Sequence, residues 1–121
     1  MKYVLYSVLI CGFLAGCRHT INFDSLQKVS YSTDIQPIIL SNCTQSGCHG
    51  NTYNETFKLL TYNDLITHTE VKAGSPKSSK LYSVIRSYNP EEIMPSEPNE
   101  PLTDKQIQLI YVWIGQGALN N

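Results

Sequence analysis

The chain has 121 residues, which bounds it to a single domain. Its 9 Lys+Arg against 10 Asp+Glu leave the charge near balance with no basic stripe, which excludes nucleic acid as a partner on electrostatic grounds. Only 16% of residues are charged while 8 are tyrosines, a composition that folds rather than staying disordered.

The first segment reads as a targeting sequence. Lys2 gives a positive start, Tyr3 to Phe13 is an apolar run too short to span a bilayer comfortably, and Leu14-Ala15-Gly16-Cys17 follows. Small residues ahead of that cysteine resemble the lipobox of bacterial lipoproteins. The resemblance implies cleavage before Cys17, lipidation of Cys17, and anchoring on a membrane face of the bacterial cell envelope, periplasmic side. An ordinary signal peptide that contains a cysteine is the alternative. The expected organisation is therefore a signal peptide over 1–16, a lipidated polar tether over 17–30, and a folded domain over 31–121.

Within the domain, Tyr31 to Asn42 predicts a short helix. Ser32 or Thr33 is placed to cap it, and Ile35, Ile38 and Ile39 supply an apolar face. Residues 43–58 are rich in turn formers. Asn63 predicts a cap for a short helix through Leu65 and Ile66. Ser75-Pro76 predicts another helix, running to about Ser87 and burying Leu81, Tyr82, Ile85 and Tyr88. Residues 89–101 hold Pro90, Pro95, Pro98 and Pro101 and read as a stiff extended loop. Thr103 with Gln106 predicts a capping box for a last helix whose buried stripe is Ile107, Ile110, Tyr111 and Ile114, with Leu109 and Trp113 on one edge. Gly115 and Gly117 end it. With no repeat and no strand pair, the expected fold class is all-α, with long loops that need something to pack on.

The chemistry lies in Cys43-Thr44-Gln45-Ser46-Gly47-Cys48-His49. Cys11 falls in the signal and Cys17 takes the lipid, so these two remain as a close pair in an exported protein, where a disulfide, a metal site or haem attachment are the options. A covalent haem site needs two thiols for two thioethers and an imidazole directly after the second, placed to bind iron. Cys48-His49 meets that demand, and four residues between the cysteines replace the usual two. Zinc lacks an obvious fourth ligand. Of the 2 methionines only Met94 follows the signal, and Ile93-Met94-Pro95 presents it from the proline-rich loop as a candidate second iron ligand.

Together these stretches resemble a class I-type monohaem cytochrome c, of the kind found in bacterial lipoproteins and planctomycete-type cytochrome domains. The likeness rests on Asp34-Ile35-Gln36-Pro37-Ile38-Ile39 leading into Asn42-Cys43, on Leu60-Thr61-Tyr62-Asn63-Asp64-Leu65, and on Gly74-Ser75-Pro76 with Ser79, Leu81 and Tyr82. Ile93-Met94-Pro95, Leu102-Thr103 and Trp113-Ile114-Gly115-Gln116-Gly117-Ala118 complete it. It covers residues 31–118. It implies a small cytochrome c-like fold and one covalent haem c, bound by Cys43, Cys48, His49 and Met94 with His49 and Met94 on the iron. It implies a first helix packed on the last, with Ile35, Ile38 or Ile39 meeting Leu109, Tyr111 or Trp113. The function implied is single-electron transfer to unidentified redox partner proteins, as a carrier rather than an enzyme, with service as the electron-entry subunit of a larger enzyme left open. A haem-free, disulfide-bonded lipoprotein that binds a partner is the competing expectation. A catalytic haem protein whose Met94 leaves the iron is a third. His19 and His68 read as surface histidines, Glu91, Glu92, Glu97 and Glu100 as a solvated loop, and Arg86 as a residue whose relation to a haem propionate the sequence does not fix.

Overall fold

The computed structural model of the chain describes residues 20–51 and 57–121. The expected signal peptide, Cys17 and His19 lie outside the described residues. Among those described, the structure is helical and holds no strand.

The first helical stretch opens as a wide π turn, Tyr31–Ile35, and tightens into α1, Gln36–Asn42. Its cap is Ser30, earlier in the chain than the cap expected at Ser32 or Thr33. The Ser30 hydroxyl accepts from the Thr33 N–H, and the Ser30 N–H donates to the Asp34 carboxylate at 2.8 Å. This reciprocal pair satisfies donors that a helix start otherwise leaves open. Pro37 stands in the first turn of α1, where no N–H is required.

Helix α2, Tyr62–His68, starts at a capping box. Thr61 Oγ1 accepts from the Asp64 N–H and the Asp64 carboxylate accepts from the Thr61 N–H, so the cap is Thr61 and not Asn63. The helix expected over 75–87 is broken in two. A 3-10 turn, Pro76–Ser78, is followed by an extended Ser79 and then α3, Lys80–Ile85. The break has a cause: the fully buried Ser79 hydroxyl accepts from Lys72 N–H at 2.9 Å and donates to the Ser75 carbonyl at 3.0 Å, which ties the connection down at the cost of one helical residue. Leu81 and Ile85 are buried as expected, whereas Tyr88, beyond the helix end, is 94% exposed.

The last helix α4, Asp104–Gly115, has the expected capping box between Thr103 and Gln106. Trp113 is not on the edge of its buried stripe but at its centre, wholly buried with Ile110 and Ile114, while Ile107, Leu109 and Tyr111 are only partly covered. The indole N–H donates to the Leu119 carbonyl at 2.9 Å, and the ring meets Tyr31 (5.8 Å) and Tyr62 (6.4 Å). The first helical stretch therefore meets α4 through its π turn. Gly117 at φ 104° ends the helix, the left-handed position where glycine carries no steric penalty.

The stretch expected as a tether is docked from Phe23 onward. Phe23 packs its ring against Gly115 and lies 5.5 Å from Tyr111. The Gln116 amide donates to the Phe23, Leu26 and Gln27 carbonyls, and its oxygen accepts from the buried Val29 at 3.0 Å. One polar side chain thus satisfies four backbone groups, which a pattern of apolar periodicity does not reveal.

Candidate functional site

Cys43 closes α1 and begins a loop built on backbone bonds. The Cys48 N–H donates to the Gln45 carbonyl at 2.9 Å, and the His49 N–H reaches back to the Cys43 carbonyl at 3.0 Å. Gly47 sits at φ 85°, a turn conformation that a side chain would oppose. The two additional residues between the cysteines are thereby taken up in a local turn, and both cysteines face one cavity. Gly50 is fixed by a close approach: a Cβ there would collide with the Thr44 carbonyl, a backbone atom with no room to yield.

His49 is held on several sides. Its carbonyl accepts from Leu59 N–H at 2.8 Å, and its Nδ1 lies 3.0 Å from the Phe57 carbonyl. A carbonyl only accepts, so Nδ1 must carry the proton and Nε2 keeps its lone pair for a metal. The phenyl ring of Phe57 stacks on the imidazole, centroids 4.5 Å apart and planes 15° from parallel.

These residues open on a cavity of about 270 Å³ that gathers Cys43, Cys48, His49 and Met94. Its walls are Phe57, Leu59, Leu81, Val84, Ile85 and Pro95, with Glu70 and Lys80 among its few charged lining residues. Met94 arrives from the proline-rich loop and is fastened by its N–H to the Val84 carbonyl at 3.0 Å, in the last turn of α3. Thr69 at the end of α2 accepts from the Leu81 N–H at 2.9 Å, so α2 and α3 are pinned together along one wall.

Cys43 and Cys48 are free thiols. Burial, with a smaller contribution from Cys48, pushes the Cys43 thiol up to about 11. A thiol held in its neutral form is the opposite of the low-pKa cysteine that thiol–disulfide exchange and redox sensing require. Among the described residues, no group of three or more His, Cys, Asp or Glu side chains is arranged to hold a metal ion.

All four expected ligands and anchors thus meet in one cavity, although 45 positions separate His49 from Met94. Arg86 does not line it: its guanidinium bonds to the Tyr82 hydroxyl at 3.2 Å and lies over that ring. His68, expected as an ordinary surface histidine, is exposed but lines the cavity and also stacks on Phe57. Phe57 was not singled out by the sequence. It follows a turn-rich stretch without periodicity, and only its spacing of eight residues from His49 relates the two.

The residues define a helical domain with a cavity lined by two thiols, two imidazoles and a thioether. In comparisons with known proteins, no family model, no curated protein and no solved structure matches the chain.

Proposed function

We propose that the protein is a monohaem c-type cytochrome of cytochrome c-like fold that carries single electrons. The observation that supports this most is the convergence of Cys43, Cys48, His49 and Met94 on one apolar-walled cavity. The donor set fits the group: Cys43 and Cys48 would anchor the macrocycle through thioethers, and His49 Nε2 and Met94 Sδ would hold the iron. The bound group would supply a reversible one-electron iron couple, with methionine ligation favouring the ferrous state.

The chain's own residues supply the rest. The Phe57 carbonyl fixes the His49 tautomer, leaving Nε2 as the ligand atom. Leu59, Leu81, Val84 and Ile85 keep water from the cavity wall. With His49 and Met94 both holding the iron, no position would be left for a substrate, which favours the role of a carrier between redox partner proteins.

Lipidation at Cys17 and a periplasmic face of the cell envelope belong to the same proposal. No helix among the described residues is long and apolar enough to cross a membrane. Fatty-acid labelling of the full chain that is lost in Cys17→Ala tests the anchor.

The test of the carrier reading is co-expression of the secreted chain with a haem-maturation system, followed by a pyridine haemochrome spectrum of denatured protein. A c-type spectrum that stays with the polypeptide supports it. Colourless protein, from cells that mature a control cytochrome, overturns it. In the coloured protein, Met94→Ala should admit carbon monoxide without denaturant.

A further inference from the structure

His68, Phe57 and His49 form a continuous stack. Phe57 lies 4.5 Å from the His49 ring at 15° and 5.0 Å from the His68 ring at 13°. A phenyl ring stacked nearly parallel on two imidazoles is restricted in its tilt. The Phe57 carbonyl is also the acceptor for His49 Nδ1, so the residue that orients the imidazole edge also covers its face. His68 is not placed by chance at the outer end of this stack. It is the last residue of α2, which the capping box at Thr61 starts and the bond from Leu81 N–H to the Thr69 carbonyl pins at its end.

We infer that His68 is a positioning residue: acting through Phe57, it fixes the plane and tautomer of the His49 imidazole. This deepens the haem reading and rests on it for its redox consequence, because the plane of an axial imidazole sets how the iron d orbitals split. The orienting effect on His49 itself does not require haem. Outer partners of a metal-binding imidazole commonly set its orientation and basicity through hydrogen bonds. Here a flat ring supplies the second constraint, and the chemistry asked of position 68 is a planar side chain, not a charge.

Two readouts separate this from the haem reading. In haem-free protein labelled with nitrogen-15 in histidine, His49 should appear as the Nδ1-protonated tautomer. His68→Ala should shift its ring resonances and admit the second tautomer, and His68→Phe should restore the wild-type pattern. In haem-loaded protein, the ferric g values and the spread of the haem methyl resonances should change in His68→Ala and return in His68→Phe. The role is overturned if His68→Ala leaves the His49 ring signals of folded haem-free protein unchanged, or if His68→Phe is as altered as His68→Ala. Failure to load haem at all would sink the haem reading while the nitrogen-15 measurement still decides the role of His68.

Discussion

The half-buried Cys43 thiol should make the haem-free protein lose stability in alkali, and haem attachment should abolish that loss. Burial, then the neighbouring Cys48, raises the Cys43 pKa from 9.0 to about 11. In the unfolded chain the thiol ionises near its ordinary value. Between these limits the native state therefore holds a proton that the unfolded state has released, and stability falls as pH rises. The stabilising proton is fully retained below the unfolded value and its contribution is exhausted above the folded one. At about 1.4 kcal/mol per pH unit, that gap corresponds to just under 3 kcal/mol. Cys43 is half-buried, so water relieves part of this, and a loss of about 2 kcal/mol is expected. Tyr31, raised by burial and then by Asp64 and Tyr62, adds a loss of the same sign further into alkali. Cys43→Val removes the thiol and leaves the tyrosine, so the difference between the two proteins isolates the cysteine. Urea unfolding at a series of pH values, from below the ordinary thiol pKa to above the raised one, measures it. A thioether has no proton to lose, so haem-loaded protein should follow the valine variant. If haem-free wild type and Cys43→Val decline equally, the thiol is not held neutral and the reasoning about the cavity wall is wrong.

Other substitutions test the frame that holds the cavity. Trp113→Ala removes a wholly buried ring and its bond to the Leu119 carbonyl, and should cost about 3–5 kcal/mol, read as a lowered urea midpoint. Gln116→Ala deletes the bonds that fasten the segment from Phe23 to Val29. Amide exchange there should accelerate while α4 stays protected, with a global cost of about 1–2 kcal/mol. Hydrogen bonds from Thr61, chiefly its side chain, hold the Asp64 carboxyl below the usual range against a smaller opposing effect of burial. Its contribution is present above the ordinary carboxylate pKa and is lost as pH falls through the lowered folded value, so Asp64→Asn should flatten that part of the acid limb in a pH–stability profile.

Much of the site was legible because its chemistry is local. Cys43, Cys48 and His49 sit in one short stretch, and Met94 stood out as the one methionine after the expected signal. The capping box at Thr103 was legible for the same reason, since both partners lie within one turn. What failed depended on distant or competing bonds. The break at Ser79 arises because its hydroxyl serves the connection from Lys72 to Ser75, an alternative that helix propensity does not weigh. The docking of residues 23–29 depends on Gln116, on the far side of the sequence. Asn63 was the cap expected from the sequence, and the reciprocal bonds between Thr61 and Asp64 make Thr61 the cap instead. Phe57 carried no periodic signal, because its value lies in a carbonyl and in a ring that stacks on two histidines.

The central claim is that Cys43 and Cys48 hold a macrocycle and not each other. Mass spectrometry of the denatured, protease-digested protein from haem-maturing cells tests it most directly. The account predicts one haem retained on the peptide that carries Cys43, Cys48 and His49, with the mass expected for two thioethers. The same peptide without haem and two hydrogens lighter, the signature of a Cys43–Cys48 disulfide, would contradict it.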